Sequence, residues 1–246
     1  MEYLYIGVCL LLGIMGLMGI LVQLYLYISY HRSNRMKTES GKPAHMVARE
    51  ALDRLGMQNV EVKKASFLWA FIWGNSYSKK RKTVYLRRGI YDRSTVTAVS
   101  VACQKVGLAE MDKQNDKSFN SRYWLAPFAV LGVESVPMIL LAGFAFDIAI
   151  KNAIGIYSIL FAVIALVVFI CSMAFTFMQI PIEKKAVDFG TQVMKMNNFL
   201  NVEETEVAQK YYKAYILDFK MQFIIKLLEV IKFILRIVVE VAKNKD

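Results

Sequence analysis

STVTAVSVACQKVGLAE, residues 94–110, lies in the middle of the only long polar region of the chain. Val96, Val99, Cys103, Val106 and Leu108 repeat at helical spacing on one side, and no proline interrupts them. The segment is therefore expected to be a helix, with the rest of the polar region built around it.

The composition outside this helix sets the class of the molecule. The chain has 246 residues, 56% of them hydrophobic, and a mean hydropathy of +0.37. That is too apolar for an ordinary soluble domain and points to an integral membrane protein. The net charge of +11 is concentrated: residues 31–123 hold 19 Lys/Arg against 8 Asp/Glu, and the remainder balances. No helix-turn-helix, zinc finger or RNA-binding aromatic motif accompanies the excess, so nucleic acid is not expected as a partner. A cytoplasmic loop obeying the positive-inside rule, near anionic lipid, accounts for it. The 3 cysteines suit neither a disulfide scaffold nor a cysteine zinc site, since Cys9 and Cys171 fall in apolar runs and Cys103 in the helix. Cys103 is expected to pack rather than react.

In chain order, Tyr3–Tyr30 is expected to be the first membrane span, long enough to tilt. His31, Arg32, Arg35 and Lys37 follow and place this end in the cytoplasm and the N-terminus outside. Pro43 opens an amphipathic helix, about Ala44–Leu55, that Gly56 ends. Val60–Lys64 and Thr83–Arg87 read as strands. Phe67–Trp73 is apolar and aromatic but too short to cross a bilayer, so it is either buried or interfacial. Gly74–Ser78 reads as a turn, and Lys79, Lys80, Arg81 and Lys82 as a basic hairpin end, with Arg87 and Arg88 as further candidates for partner or lipid contact. Glu110–Tyr123 reads as a loop.

Trp124–Ile150 and Ala153–Gln179 are expected to form a transmembrane hairpin, giving three spans in all. Glu134 lies well inside the second of them; an acid at that depth is a functional candidate, unless the span begins after Pro137. Residues 180–246 return to the cytoplasm and end in an amphipathic helix. In Tyr211–Lys243, Lys226, Glu229, Lys232, Arg236, Glu240 and Lys243 recur every three or four residues opposite Leu227, Leu228, Ile231, Ile234, Leu235 and Val238. The domain plan is thus span 1–30, basic region 31–123, hairpin 124–179 and return segment 180–246. The 2 histidines, His31 and His45, have no acidic cluster at ligand spacing. Neither a phosphate-binding glycine loop nor a G-x-S-x-G elbow is found.

Three segments resemble, in the right order, the bacterial membrane-anchored neutral zinc metallopeptidases (the YugP-like family). GNSYSKKRKTVYL is similar to the family's S-D-H-Y-D-P…K-x-x-x-L, keeping Tyr77 and Leu86. GIYDRSTVTAVSVACQKVGLA is similar to V-Y-x-x-x-S…A-x-x-V-A-A-H-E-x-G-H-A, keeping Tyr91, Ser94, Ala98, Val101, Ala102, Gly107 and Ala109. IPIEKKAVDF is similar to L-P-V-E-F-D-A-S, keeping Pro181, Glu183 and Ala186. The resemblance implies a mainly α membrane protein: three transmembrane helices, a small cytoplasmic zincin-like α+β region and the C-terminal amphipathic helix.

In that family two histidines four residues apart on one helix face bind zinc, and the intervening glutamate is the general base. Carried over, the histidine positions are Gln104 and Leu108, the base is Lys105, and the third ligand is Glu183. Leucine cannot coordinate a metal, glutamine is a poor substitute for imidazole, and a lysine opposes a cation. Asn75, Ser76 and Ser78 replace the polar residues of D-H-Y-D. No cofactor is expected here, zinc being that of the active relatives. Glu183 is expected to pair with Lys184, Lys185 or Lys105.

The expectation is a degenerate member, a pseudopeptidase of the bacterial cytoplasmic membrane. It would act by binding a membrane protein, a peptide or an active paralogue. Two alternatives belong to other classes: a hydrolase rebuilt around Glu183, Glu110, Asp112 or Glu134, and a basic scaffold resting on anionic membrane lipid.

Overall fold

The computed structural model describes residues 2–132, 135–150 and 155–243. The chain is mainly helical, with one small sheet, and it divides into two units. One comprises residues 1–114 and 183–246, the other residues 115–182.

In the first unit the leading helix α1 (Glu2–Arg35) runs past the expected Tyr30 and carries Arg32 and Arg35 in its last turn. Helix α2 (Ala44–Arg54) buries Ala44, Val47, Ala48, Ala51 and Leu52, a single stripe at helical spacing. Gly56 follows with φ +69, the left-handed turn expected of a glycine after a helix. Strands β1 (Glu61–Lys64), β2 (Ser76–Ser78) and β3 (Thr83–Leu86) form a sheet in the order β1-β3-β2. β1 runs parallel to β3 with Glu61 opposite Thr83; β2 runs antiparallel with Ser76 opposite Tyr85. All four residues of β3 are buried, as a central strand requires. β2 lies where a turn was expected, because Ser, Tyr and Ser give only a weak strand signal. Helix α3 (Phe67–Ile72) precedes it, and the short α4 (Arg88–Tyr91) follows β3.

The central helix α5 (Val96–Lys113) starts at Thr95, whose hydroxyl accepts a hydrogen bond from Ala98 N at 3.3 Å. It is buried on every side from Val96 to Ala109, not on one side only. Burial on all faces follows from its small residues: Ala98, Ser100, Ala102, Gly107 and Ala109 let α1, α2, the sheet and α9 all reach it. The last helix α9 (Val202–Lys243) opens with a reciprocal cap. Glu204 N donates to Asn201 Oδ1 at 2.9 Å, and Asn201 N to Glu204 Oε2 at 2.8 Å. The helix thus begins nine residues before the expected Tyr211, and it packs along α1.

In the second unit, helix α6 (Lys117–Leu131) occupies much of the stretch read as a loop, with Asp116 capping Phe119 N at 3.0 Å. The expected span Trp124–Ile150 is not one helix. Gly132 takes φ +68 and Pro137 sits in the first turn of a separate helix, α7 (Val136–Ala149). Its 14 residues reach about 21 Å, short of the about 30 Å hydrocarbon core. Glu134 lies outside the described residues, as do Lys151 and Asn152 of the expected hairpin tip.

Helix α8 (Ile156–Met196) runs unbroken through Pro181, so the expected third span, ending at Gln179, and the start of the return segment are one helix. Among the described residues two helices, α1 and α8, are long and apolar enough to cross a membrane, rather than the three expected. Asp147 near the end of α7 accepts hydrogen bonds from Tyr157 N at 3.1 Å and Ser158 N at 2.8 Å, holding the start of α8. Gly143 allows that contact: a Cβ there would lie 2.6 Å from Phe161 Cβ.

Candidate functional site

The C-terminal part of α8 lies directly against α5 within the first unit. A Cβ on Gly107 would stand 2.5 Å from the backbone oxygen of Ala186, and one on Gly190 would stand 3.0 Å from Gln104 N. Two glycines, one on each helix, therefore let the backbones approach more closely than any side chain would permit. The approach brings Glu183 to the face of α5 that carries Gln104 and Lys105.

Glu183 is the hub of a buried polar cluster. Gln104 Nε2 donates to Glu183 Oε2 at 2.8 Å. Lys105 Nζ stands 3.7 Å from the same oxygen. Tyr215 Oη, from α9, donates to it at 3.4 Å. Gln104, Lys105 and Glu183 are 2%, 6% and 4% exposed, so the ion pair and its hydrogen bonds are made away from water. Of the three lysines weighed for Glu183, Lys105 is in contact. Leu108 is 2% exposed, one turn beyond Gln104, and presents only methyl groups. Tyr215 is outside the sequence expectations; a tyrosine in the middle of a long helix has no local signal of its role.

This donor set does not fit zinc. A zinc site needs imidazole, thiolate or carboxylate oxygen free to coordinate. Here the one carboxylate accepts from an amide and a phenol and faces an ammonium group, and its neighbours offer no imidazole. Among the described residues, no group of three or more His, Cys, Asp or Glu is placed to hold a metal ion. His45 Nδ1 lies 2.9 Å from the carbonyl of Tyr91 and its ring stacks on that tyrosine at 4.4 Å. His31 packs against Tyr27 and Tyr30.

A second buried carboxylate lies two turns further along α5. Asp112 Oδ2 accepts from Tyr77 Oη at 2.6 Å and from Lys82 Nζ at 2.6 Å, and Lys79 Nζ lies 3.7 Å from Oδ1. Burial and the bond to Asp112 hold the Tyr77 hydroxyl well above its usual pKa, so it stays a donor. Two cations of the basic run thus clamp the β2–β3 hairpin to α5 instead of being merely solvated. Lys82 itself takes φ 45 at the turn. Arg81 lies over the Trp69 ring, and Arg87 donates to the backbone oxygen of Ala70 at 2.8 Å. Lys80 and Arg88 are exposed.

Gln104, Leu108 and Asp112 fall on one face of α5 by their spacing of four, and Glu110 does not. The carboxylates considered for a rebuilt hydrolytic centre are thereby separated on the helix: Glu110 Oε1 accepts from Gln114 at 2.9 Å. The Cys103 thiol is fully buried, and burial pushes its pKa up, so it packs as an unreactive residue. Lys113, in the stretch read as a loop, donates to the carbonyl of Leu55 at 2.6 Å.

Comparison with known proteins bears on this cluster. The family model described as "Putative neutral zinc metallopeptidase" matches residues 8–238. The protein named "Putative membrane protease YugP" from Bacillus subtilis (strain 168) is 22% identical over 207 residues, 84% of this chain and 86% of that protein. No solved structure matches.

Proposed function

Because the chain belongs to the neutral zinc metallopeptidase family, and because Gln104, Lys105 and Leu108 occupy the helix that should carry that chemistry, we propose that it is a membrane pseudopeptidase acting by binding. The observation that supports this most directly is the Lys105–Glu183 pair at 3.7 Å. In an active relative the base position needs a carboxylate able to take a proton from water. Lysine at that position is a cation, and it sits beside the surviving carboxylate, where it neutralises the charge a metal would otherwise neutralise.

The protein sits in the cytoplasmic membrane through α1 and α8. Its N-terminus lies outside and the basic region and C-terminus lie in the cytoplasm, consistent with Arg32 and Arg35 in the last turn of α1. Its binding partner is a membrane protein, a peptide or an active paralogue.

The test has two arms on the full chain in gentle detergent. With zinc added, hydrolysis of unstructured peptide substrates is expected to equal that of the Glu183→Gln variant. Turnover lost on that substitution overturns the inactive reading. Co-purification is expected to recover a specific, stoichiometric membrane protein or peptide; recovery of none contradicts the binding role.

A further inference from the structure

Helix α3 has two unlike sides. Trp69 and Ala70 face the sheet: the Trp69 ring lies 4.4 Å from the Tyr85 ring and its Nε1 donates to Ser76 Oγ at 3.0 Å. Arg87 donates to the Ala70 carbonyl at 2.8 Å, and Ser66 caps the helix by accepting from Trp69 N at 3.3 Å. The other side carries Phe67, Leu68, Phe71 and Ile72, two adjacent pairs four residues apart and so on one face. These four are 84%, 71%, 80% and 56% exposed. Nothing in α3 is buried. A docked helix that holds four large apolar side chains outward is a contiguous apolar patch, and such patches mark interaction surfaces.

Its setting points to one kind of partner. Between residues 61 and 88 the chain has eight Lys/Arg and a single acid, Glu61. Asp112 engages Lys79 and Lys82, whereas Lys80 and Arg88 make no ion pair among the described residues. The same unit is fixed to the last turns of α1 without a flexible link. Ser33 hydrogen-bonds Thr97, Thr95 Oγ1 donates to Asn34 Oδ1 at 3.3 Å, and Val96 N donates to Met36 O at 3.0 Å. The unit that carries the patch is thus fixed directly to one end of a helix long and apolar enough to cross a bilayer. Aromatic and aliphatic residues bordered by cations match the boundary between acyl chains and anionic headgroups.

We propose that α3 is an interfacial anchor. Phe67, Leu68, Phe71 and Ile72 enter the headgroup–acyl boundary of the bilayer, and Lys80 and Arg88 meet anionic headgroups. This goes beyond the pseudopeptidase reading and is independent of whether the chain binds metal. The anchor fixes the sheet and α5 against the membrane surface, so that a partner must reach them at that depth.

The test uses the full chain reconstituted in vesicles of phosphatidylcholine with phosphatidylglycerol. Phe71→Cys and Leu68→Cys each carry an environment-sensitive dye, with Cys9 and Cys171 changed to serine, and Lys63→Cys is the exposed reference. Iodide is present on both faces. At residues 68 and 71, iodide quenching is expected to fall about fivefold below the reference, while a lipid spin-labelled near the headgroup quenches strongly. Lys80→Glu with Arg88→Glu, or vesicles of phosphatidylcholine alone, is expected to weaken the lipid quenching about twofold or more. Dyes as open to iodide as the reference overturn the proposal. Shielding from iodide without lipid quenching also overturns it, since a second copy or a protein then covers the patch. Quenching indifferent to lipid charge overturns the headgroup contact.

Discussion

Gln104 and Glu183, 79 positions apart in sequence, are joined by a 2.8 Å hydrogen bond buried between α5 and α8. The bond has a direction: the amide donates and the carboxylate accepts. A histidine ligand at the same place would aim a lone pair at a metal shared with Glu183. The amide nitrogen has none to offer and uses the carboxylate itself as its partner. On the proposed reading, the two residues satisfy each other where an active relative would hold its metal.

The Lys105–Glu183 pair should be costly to break from one side. Lys105→Met leaves a buried carboxylate with its counter-charge removed, and Glu183→Gln leaves a buried ammonium. Each is expected to destabilise by about 3–5 kcal/mol. The double variant is expected to lose clearly less than the sum, because neither charge remains. Chemical denaturation of the three variants in detergent, read as a double-mutant cycle, checks this.

Close helix approach depends on two glycines. Gly107→Ala would push a Cβ against the backbone oxygen of Ala186, which is fixed in a helix, and is expected to cost about 2–3 kcal/mol. Gly190→Ala meets backbone at 3.0 Å and should cost less. Gly16→Ala meets nothing within 4 Å and is expected to be neutral or slightly stabilising. Ranking the three by midpoint of thermal unfolding tests the order.

Raised pKa values at Tyr77 and Cys103 make the polar unit sensitive to alkali. Both groups keep their proton in the folded state at pH values where the unfolded chain loses it. The folded state then holds more protons than the unfolded state, so stability falls as pH rises: above about pH 8.5 for the thiol and about pH 10 for the phenol. Tyr77→Phe is expected to flatten the fall above pH 10, at the cost of the hydrogen bond to Asp112. Denaturation midpoints between neutral and alkaline pH measure both.

Much of this arrangement is written locally. The stripe Ala44, Val47, Ala51, Leu52 and the glycine after it define α2, and the small residues of 94–110 define α5. Resemblance brought Gln104, Lys105, Leu108 and Glu183 to one place, and the structure joins three of them by polar contacts. What was not legible depends on distant partners. β2 exists because β3 offers it a ladder, α8 passes Pro181 without stopping, and Tyr215 and Asp112 acquire roles only when α9 and the hairpin close on α5. The separate start of α7 was legible in part, since Pro137 suits the first turn of a helix.

If the scaffold still has the shape of a metal site, the missing ligands should restore it. Gln104→His, Lys105→Glu and Leu108→His together are expected to give a chain that retains about one zinc ion, because Glu183 already stands in reach. Either histidine alone is expected to retain none above background. Equilibrium dialysis against zinc distinguishes these outcomes. The restored chain should also lose its metal when Glu183→Gln is added.

The most direct measurement is the metal content of the unaltered chain, purified in detergent without chelator and analysed for all transition elements. The pseudopeptidase account predicts far less than one metal ion per chain. Stoichiometric zinc would contradict it, and would mean that ligands outside the Gln104–Lys105–Glu183 cluster hold a metal the family chemistry can use.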